Sequence, residues 1–172
     1  VQRNNQKIIE ESMSTMLPPE LEEKVYRYTD LIANEVDYIG AGTVEFIFNL
    51  DENEIYFMEM NTRLQVEHPV TEKVSGIDIV ATQYAIASGE SISDLNIGKN
   101  GYAVEVRITA ERFETTNDGT INFVPNPGEV TEFNLPENEN IDVISMIDKN
   151  KQITPYYDSL IMQIIAKGPD RD

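Results

Sequence analysis

The sequence predicts an α+β fold in which a mixed first half is followed by a mostly β second half. Three observations carry that reading. Apolar residues recur at helical spacing in two stretches, both before residue 90. Runs rich in β-branched and aromatic residues dominate after residue 100. Between them "GESISDLNIGKNG" holds three glycines and reads as a linker. The expected organisation is 1–90, a linker at 91–100, and 101–172.

The elements follow in order. After a polar opening and "MLPPE", Leu21, Val25, Tyr28, Leu31 and Ile32 share helical spacing, and Glu20, Glu22 and Glu23 crowd the first turn. Acid there complements the helix dipole, so the spacing predicts a helix over 20–36. In "GAGTVEFIFNLDENEIYFMEMN" two strand-like runs flank "NLDEN", which predicts a hairpin. A turn centred on Glu52 sets Phe48 opposite Tyr56, Ile47 opposite Phe57 and Glu45 opposite Glu59. "DIVATQYAIAS" predicts a helix over 78–88, ended by Gly89 at C′. "YAVEVRITAE" is a strand, and "INFVPNPGEVTEF" gives two short strands around a Pro-Gly turn. "IDVISMID" and "YYDSLIMQIIAKG" are further strands.

Composition narrows the function classes. The 172 residues, 40% of them hydrophobic, suit one large or two small domains. No run approaches the roughly 20 apolar residues of a membrane span, and the first residues lack the apolar core of a signal peptide. Cysteine is absent, which removes disulfides, thiolate metal sites and thiol nucleophiles. Thirteen Lys and Arg against 31 Asp and Glu give a net charge of −18, which repels a nucleic-acid backbone. The expectation is a cytoplasmic protein that binds neither nucleic acid nor membrane.

The stretch "FMEMNTRLQVEHPV" carries the chemistry. Read as extended chain, it sets Glu59, Asn61, Arg63, Gln65 and Glu67 along one face. Glu45 and Glu59 in register repel unless one is protonated or a cation lies between them. Carboxylate and amide oxygens suit a hard cation, so Glu45, Glu59 and Asn61 are candidate ligands for Mg²⁺ or Mn²⁺. An exposed acidic hairpin accounts for the same spacing and is the commoner case; both readings stand at this point. Arg63 offers a fixed fork for an anion, Gln65 a donor and an acceptor, and Glu67 a general base. That order fits phosphoryl transfer from a metal-nucleotide to a small acid. His68, ahead of Pro69, is read as structural. An arginine alone on a strand, such as Arg107, is most often exposed or ion-paired.

"FMEMNTRLQVEHPVTE" resembles the signature of biotin carboxylases, the ATP-grasp component of biotin-dependent carboxylases such as acetyl-CoA, pyruvate and propionyl-CoA carboxylase. "VQRNNQK", "GAGTVEFIF", "YAVEVRITAE", "FVPNPGEV" and "PYYDSLI" are similar to family segments in the family's order, so the resemblance covers nearly the whole chain. It implies the C-terminal half of an ATP-grasp fold followed by an incomplete biotin carboxylase C-terminal domain.

The resemblance implies Glu45, Glu59 and Asn61 as metal ligands. It implies Lys7, Arg63, Gln65, Val66 and Glu67 as the bicarbonate pocket, with Glu67 the base and Arg63 catalytic. It implies Arg107 at the biotin ureido oxygen, Gln2 and Asn5 beside the nucleotide ribose, and Ile47 against the adenine. ATP, the divalent ion, bicarbonate and carrier-bound biotin are the implied ligands. A biotin carboxyl carrier protein, a carboxyltransferase and a second copy of the chain are the implied partners, and fatty-acid synthesis is the expected context.

Departures from the family are local. Asn4 stands where arginine is common, "NLDEN" is longer than in many relatives, and Met162-Gln163 replaces a frequent Gly-Lys pair. A symmetric two-residue extension of the turn keeps Glu45 opposite Glu59. The Gln163 change is expected to alter packing or a surface contact. The resemblance places the family's Gly-rich phosphate lid and its phosphate-binding lysines ahead of residue 1, so the piece alone is expected not to hydrolyse ATP. Two other readings compete. One is another ATP-grasp ligase such as a carbamoyl-phosphate synthase, which lacks "RLQVEHPVTE". The other is a non-catalytic folding or dimerisation segment.

Overall fold

The computed structural model describes residues 1–3 and 5–171. The departure at Asn4 lies outside the described residues. The chain divides into two compact bodies, Ser12–Gly101 and a second one built from Val1–Glu11 with Tyr102–Asp172. The first eleven residues, read from sequence with the first half, group with the second because they supply strands to its sheets.

Those strands are β1 (Gln2–Arg3), β2 (Gln6–Lys7) and β3 (Ile9–Ser12). The body that follows holds α1 (Pro19–Glu35), β4 (Thr43–Asn49), β5 (Glu54–Asn61), α2 (His68–Ser75) and α3 (Ile79–Ala87). Then come β6 (Tyr102–Thr109), β7 (Glu111–Thr115), β8 (Ile121–Pro125), β9 (Gly128–Glu129), β10 (Ile141–Ser145), β11 (Gln152–Ile153) and β12 (Leu160–Gly168). Among the described residues no helix is long and apolar enough to cross a membrane.

In the Ser12–Gly101 body both expected helices form. α1 starts with Pro19 at N1, where its missing N–H costs nothing, and Glu20 and Glu22 occupy its first turn. Leu21 is its buried residue, while Leu31, placed on the apolar stripe by spacing, is exposed. The helix meets the hairpin through Tyr28, which stacks on Phe46, and Phe46 in turn meets Phe57 edge to face. α3 ends as the sequence predicts. Gly89 takes φ +89°, its N–H donates to Ile86 and that of Glu90 to Ala85, which is a Schellman closure. The Asp78 side chain caps its N-terminus by accepting from the Ala81 N–H.

The β4–β5 hairpin corrects the expected register in part. Glu45 does face Glu59, but Ile47 faces Tyr56 and Phe48 faces Ile55. The turn is tighter than a Glu52-centred one because Asn49 Oδ1 accepts the Asp51 and Glu52 N–H groups and Asn53 adopts φ +51°. A bulge between Glu45 and Phe46 in the ladder, with Met58 as the extra residue, restores the expected pairing at the carboxylates.

The second body is mostly β. Its main sheet has the order β10-β12-β6-β3, and β7–β8 forms a separate hairpin. The two strands around Pro127 join different partners, β8 with β7 and β9 with β11. Ala103, Ile165 and Glu105 are almost fully buried on β6 and β12. Arg3 on β1 ties to the β7–β8 hairpin by an ion pair with Glu111 and by lying 3.9 Å over the Phe123 ring.

Candidate active site residues

Strand geometry ends at Asn61, and residues 62–67 form a loop that leads into α2. The extended line from Glu59 to Glu67 is therefore corrected. Glu59 and Asn61 share the strand, while Arg63, Gln65 and Glu67 are carried by the loop. The ladder has to stop there, because Asn61 already pairs with Thr43, the first residue of β4.

The carboxylates meet on an amide. Asn61 Nδ2 donates to Glu45 Oε1 at 3.0 Å and to Glu59 Oε1 at 2.9 Å. Gln65 Nε2 donates to the same Glu45 oxygen at 2.7 Å. Amide N–H groups on both carboxylates thus offset part of the repulsion expected of the facing pair. Gln65 is buried, and its backbone carbonyl accepts from His68 Nδ1 at 2.7 Å. A carbonyl only accepts, so Nδ1 carries the proton and His68 serves to hold the loop. Gly42 allows the close approach behind Asn61: a Cβ there would lie 3.0 Å from the Tyr38 ring and 3.1 Å from the Asn61 carbonyl.

The donor set fits a divalent cation. Glu45 and Glu59 each bring an oxygen within 3.0 Å of the Asn61 amide, so two carboxylates and an amide oxygen are close enough to serve one hard ion. Among the described residues no three His, Cys, Asp or Glu side chains form a metal cluster, so the amide is needed to complete this set.

The anion-binding candidates occupy the entry to α2. Arg63 and Val66 are exposed and Glu67 is half-buried. Glu67 is the N-cap residue with φ −78° and ψ 3°, and its carboxylate makes no capping hydrogen bond. In the first turn of α2 the His68 N–H donates to the Gln65 carbonyl and Pro69 has none, so anion contacts here fall to the loop side chains. Ile47 projects exposed from β4.

The remaining candidates lie in the other body. Gln2 faces Lys7 across β1–β2, and Asn5, in the turn, has φ +62°. Arg107 on β6 is ion-paired: its Nη2 lies 2.7 Å from Glu10 Oε1, with side chains 8% and 9% exposed. Gln163 faces Arg107 from β12 and donates to the fully buried Glu105 at 2.8 Å. The Gln163 departure is therefore a buried contact rather than a surface one. Sequence reasoning missed Glu10, Glu105 and Gln163 as parts of this cluster. The one signal was period-2 alternation in "YAVEVRI", which puts Glu105 and Arg107 on a common face.

Residues 1–95 match the family described as carbamoyl-phosphate synthase L chain, ATP binding domain, and residues 105–172 match the biotin carboxylase C-terminal domain. The chain is 43% identical over 173 residues to biotin carboxylase 2 of Bacillus subtilis, covering 99% of this chain and 37% of that protein. It is 41% identical to a pyruvate carboxylase subunit of Methanothermobacter thermautotrophicus, covering 99% and 34%. Among solved structures it is similar to the biotin carboxylase domain dimer of Hydrogenobacter thermophilus 2-oxoglutarate carboxylase, in complex with MgADP, ADP and bicarbonate. There the TM-score is 0.87 and the identity 42%, over 99% of this chain and 36% of that one. The chain thus spans little more than a third of the length of these relatives. The first description alone leaves the rival ligase open; the second match and the near-complete coverage by biotin carboxylases decide between them. The chain belongs to the biotin carboxylase family, with part of an ATP-grasp fold followed by biotin carboxylase C-terminal domain structure.

Proposed function

We propose that the protein carboxylates biotin on a carrier protein, using ATP and bicarbonate. The observation that carries this reading is the convergence of Glu45 and Glu59 on the Asn61 amide, with Gln65 bonded to the same Glu45 oxygen. It joins a hard-cation donor set to the loop of anion-binding candidates. Glu45, Glu59 and Asn61 hold Mg²⁺ or Mn²⁺. The ion, when bound, offsets charge on the ATP phosphates.

Lys7, Arg63, Gln65 and Val66 hold bicarbonate, and Glu67 removes its proton. The resulting carbonate oxygen attacks the γ-phosphorus of ATP, releasing ADP and forming carboxyphosphate. Carboxyphosphate breaks down to CO₂ and phosphate. The phosphate takes the proton from biotin N1′, N1′ attacks CO₂, and Arg107 stabilises the negative ureido oxygen. Gln2 and Asn5 lie beside the ribose and Ile47 against the adenine.

The working assembly is a homodimer in the cytoplasm, served by a biotin carboxyl carrier protein and a carboxyltransferase. The organisation is 1–90 as ATP-grasp structure and 101–172 as C-terminal domain. For the acceptor we propose acetyl-CoA, in fatty-acid synthesis. Relatives named for pyruvate and 2-oxoglutarate supply the competing assignments, and offering the carboxylated carrier each acceptor with its carboxyltransferase separates them.

Glu67→Gln in the full natural polypeptide tests the base. Bicarbonate-dependent ATP cleavage should fall about 10²- to 10⁴-fold with nucleotide binding retained. Wild-type cleavage in that variant removes Glu67 from the role.

A further inference from the structure

The ion pair between β3 and β6 points to a residue that controls Arg107. The two strands are neighbours in the main sheet, and the Arg107 N–H donates to the Ile8 carbonyl at 2.9 Å. That backbone bond fixes the register that brings Glu10 to the guanidinium. Both side chains are more than nine-tenths buried, and Nη2 and Oε1 are 2.7 Å apart. A buried arginine of this kind has little rotamer freedom left. Its planar fork is oriented by whatever carboxylate it meets.

The neighbours sharpen the assignment. Gln163 stands opposite Arg107 in the β6–β12 register, yet its amide N–H goes to Glu105 at 2.8 Å. Glu105 lies two positions before Arg107, on the same face of β6. Gln163 thus engages the nearer carboxylate of β6 itself, and Glu10 brings a carboxylate from the adjacent strand onto Arg107. A cation on one strand is aimed by an acid on the next.

We propose that Glu10 is a positioning residue for Arg107, fixing the direction in which the guanidinium faces the ureido oxygen. This rests on the reading that Arg107 acts on biotin. A misplacement of about 1 Å can cost on the order of 10²-fold in rate, so the pair matters even though Glu10 touches no substrate.

The test uses the full natural polypeptide and measures two reactions: carboxylation of biotin, and bicarbonate-dependent ATP cleavage without biotin. Glu10→Gln keeps the shape of the side chain and removes its charge. It should lower kcat for biotin carboxylation about 10- to 100-fold and leave ATP cleavage within about twofold. Adding Glu10→Gln to Arg107→Ala should cause no further loss, since both act through one group. Glu10→Asp keeps the charge on a shorter stem and should recover part of the rate; it also serves as the test if Glu10→Gln does not fold.

Three results overturn the proposal. In the first, Arg107→Ala impairs carboxylation while a folded Glu10 variant has wild-type kcat. That removes Glu10 and leaves the Arg107 reading standing. In the second, both reactions fall together in the Glu10 variants, which marks a purely structural pair. In the third, Arg107→Ala leaves carboxylation unchanged, and the Arg107 reading fails together with the proposal.

Discussion

Two charged clusters in this chain are held in opposite ways. On the β4–β5 hairpin, two facing glutamates share the neutral Asn61 amide, and the neutral Gln65 amide donates to Glu45 as well. In the main sheet of the other body, Arg107 meets Glu10 directly, ion against ion, with both side chains more than nine-tenths buried. Neutral amides can rotate and present oxygen instead of N–H, so the hairpin cluster is built to exchange its partner. A buried guanidinium has no such alternative, so the sheet cluster is built to stay. The difference matches the roles proposed for them: an exchangeable cluster for the cation, and a fixed positive group for biotin.

The largest expected effect breaks the fixed member of this comparison. Arg107→Ala leaves Glu10 buried beside a cavity, and loss of one partner of a buried pair costs about 3–5 kcal/mol. Chemical denaturation of the full polypeptide should show the midpoint falling with little change in slope. A change under about 1 kcal/mol would show that water reaches the pair and that the contrast is false.

The exchangeable member should give less. Glu45→Gln keeps an oxygen acceptor for two amide bonds but removes its charge, which weakens each by about 1 kcal/mol. The same substitution should weaken Mg²⁺ or Mn²⁺ binding by about tenfold or more, read by calorimetric titration without nucleotide. An unchanged metal affinity would separate the carboxylate pair from the cation. Gly42→Ala sharpens the same point from behind. Its methyl crowds Tyr38 and the Asn61 carbonyl, so it should lower metal affinity more than thermal stability.

These clusters differ also in how far the sequence revealed them. The facing glutamates were legible because hairpin register is a local property, fixed by turn length and pleat. Even so, the agreement at Glu45 and Glu59 came from two deviations that cancel, a tighter turn and a bulge near Met58. The break at Asn61 was not legible, because the alternation in "MNTRLQVEH" continues by composition after the ladder has lost its partner strand. The Glu10–Arg107 pair lay out of reach for a different reason. The two residues are 97 positions apart in sequence, 107 − 10, and only the pairing of β3 with β6 brings them together. The polar run "QRNNQK" carries no strand signal, so β1 and β2 are not legible as strands, and α2, whose first turn contains Pro69, is not legible as a helix. The two helices with clear caps and stripes were legible almost to the residue.

The smallest effect concerns a carboxylate that belongs to neither cluster, and it tests whether acid lability follows burial or hydrogen bonding. Asp118 sits exposed in the turn joining β7 and β8. The Thr116 hydroxyl bonds its carboxylate first, and the Thr120 N–H donates to it at 3.0 Å. Together they hold its pKa down to about 2. A carboxyl depressed in the folded state contributes stability that is fully present above its ordinary value, near 4, and is lost as pH falls through about 2. The unfolded chain binds the extra proton in that window, so stability must rise with pH between the two values. Carbon-13 NMR of the Asp118 carboxyl should titrate near 2 in the folded protein, and Asp118→Asn should flatten the pH dependence of unfolding there while changing nothing at pH 7 beyond the local turn. A titration near 4 would show that the threonine bonds do not persist in solution.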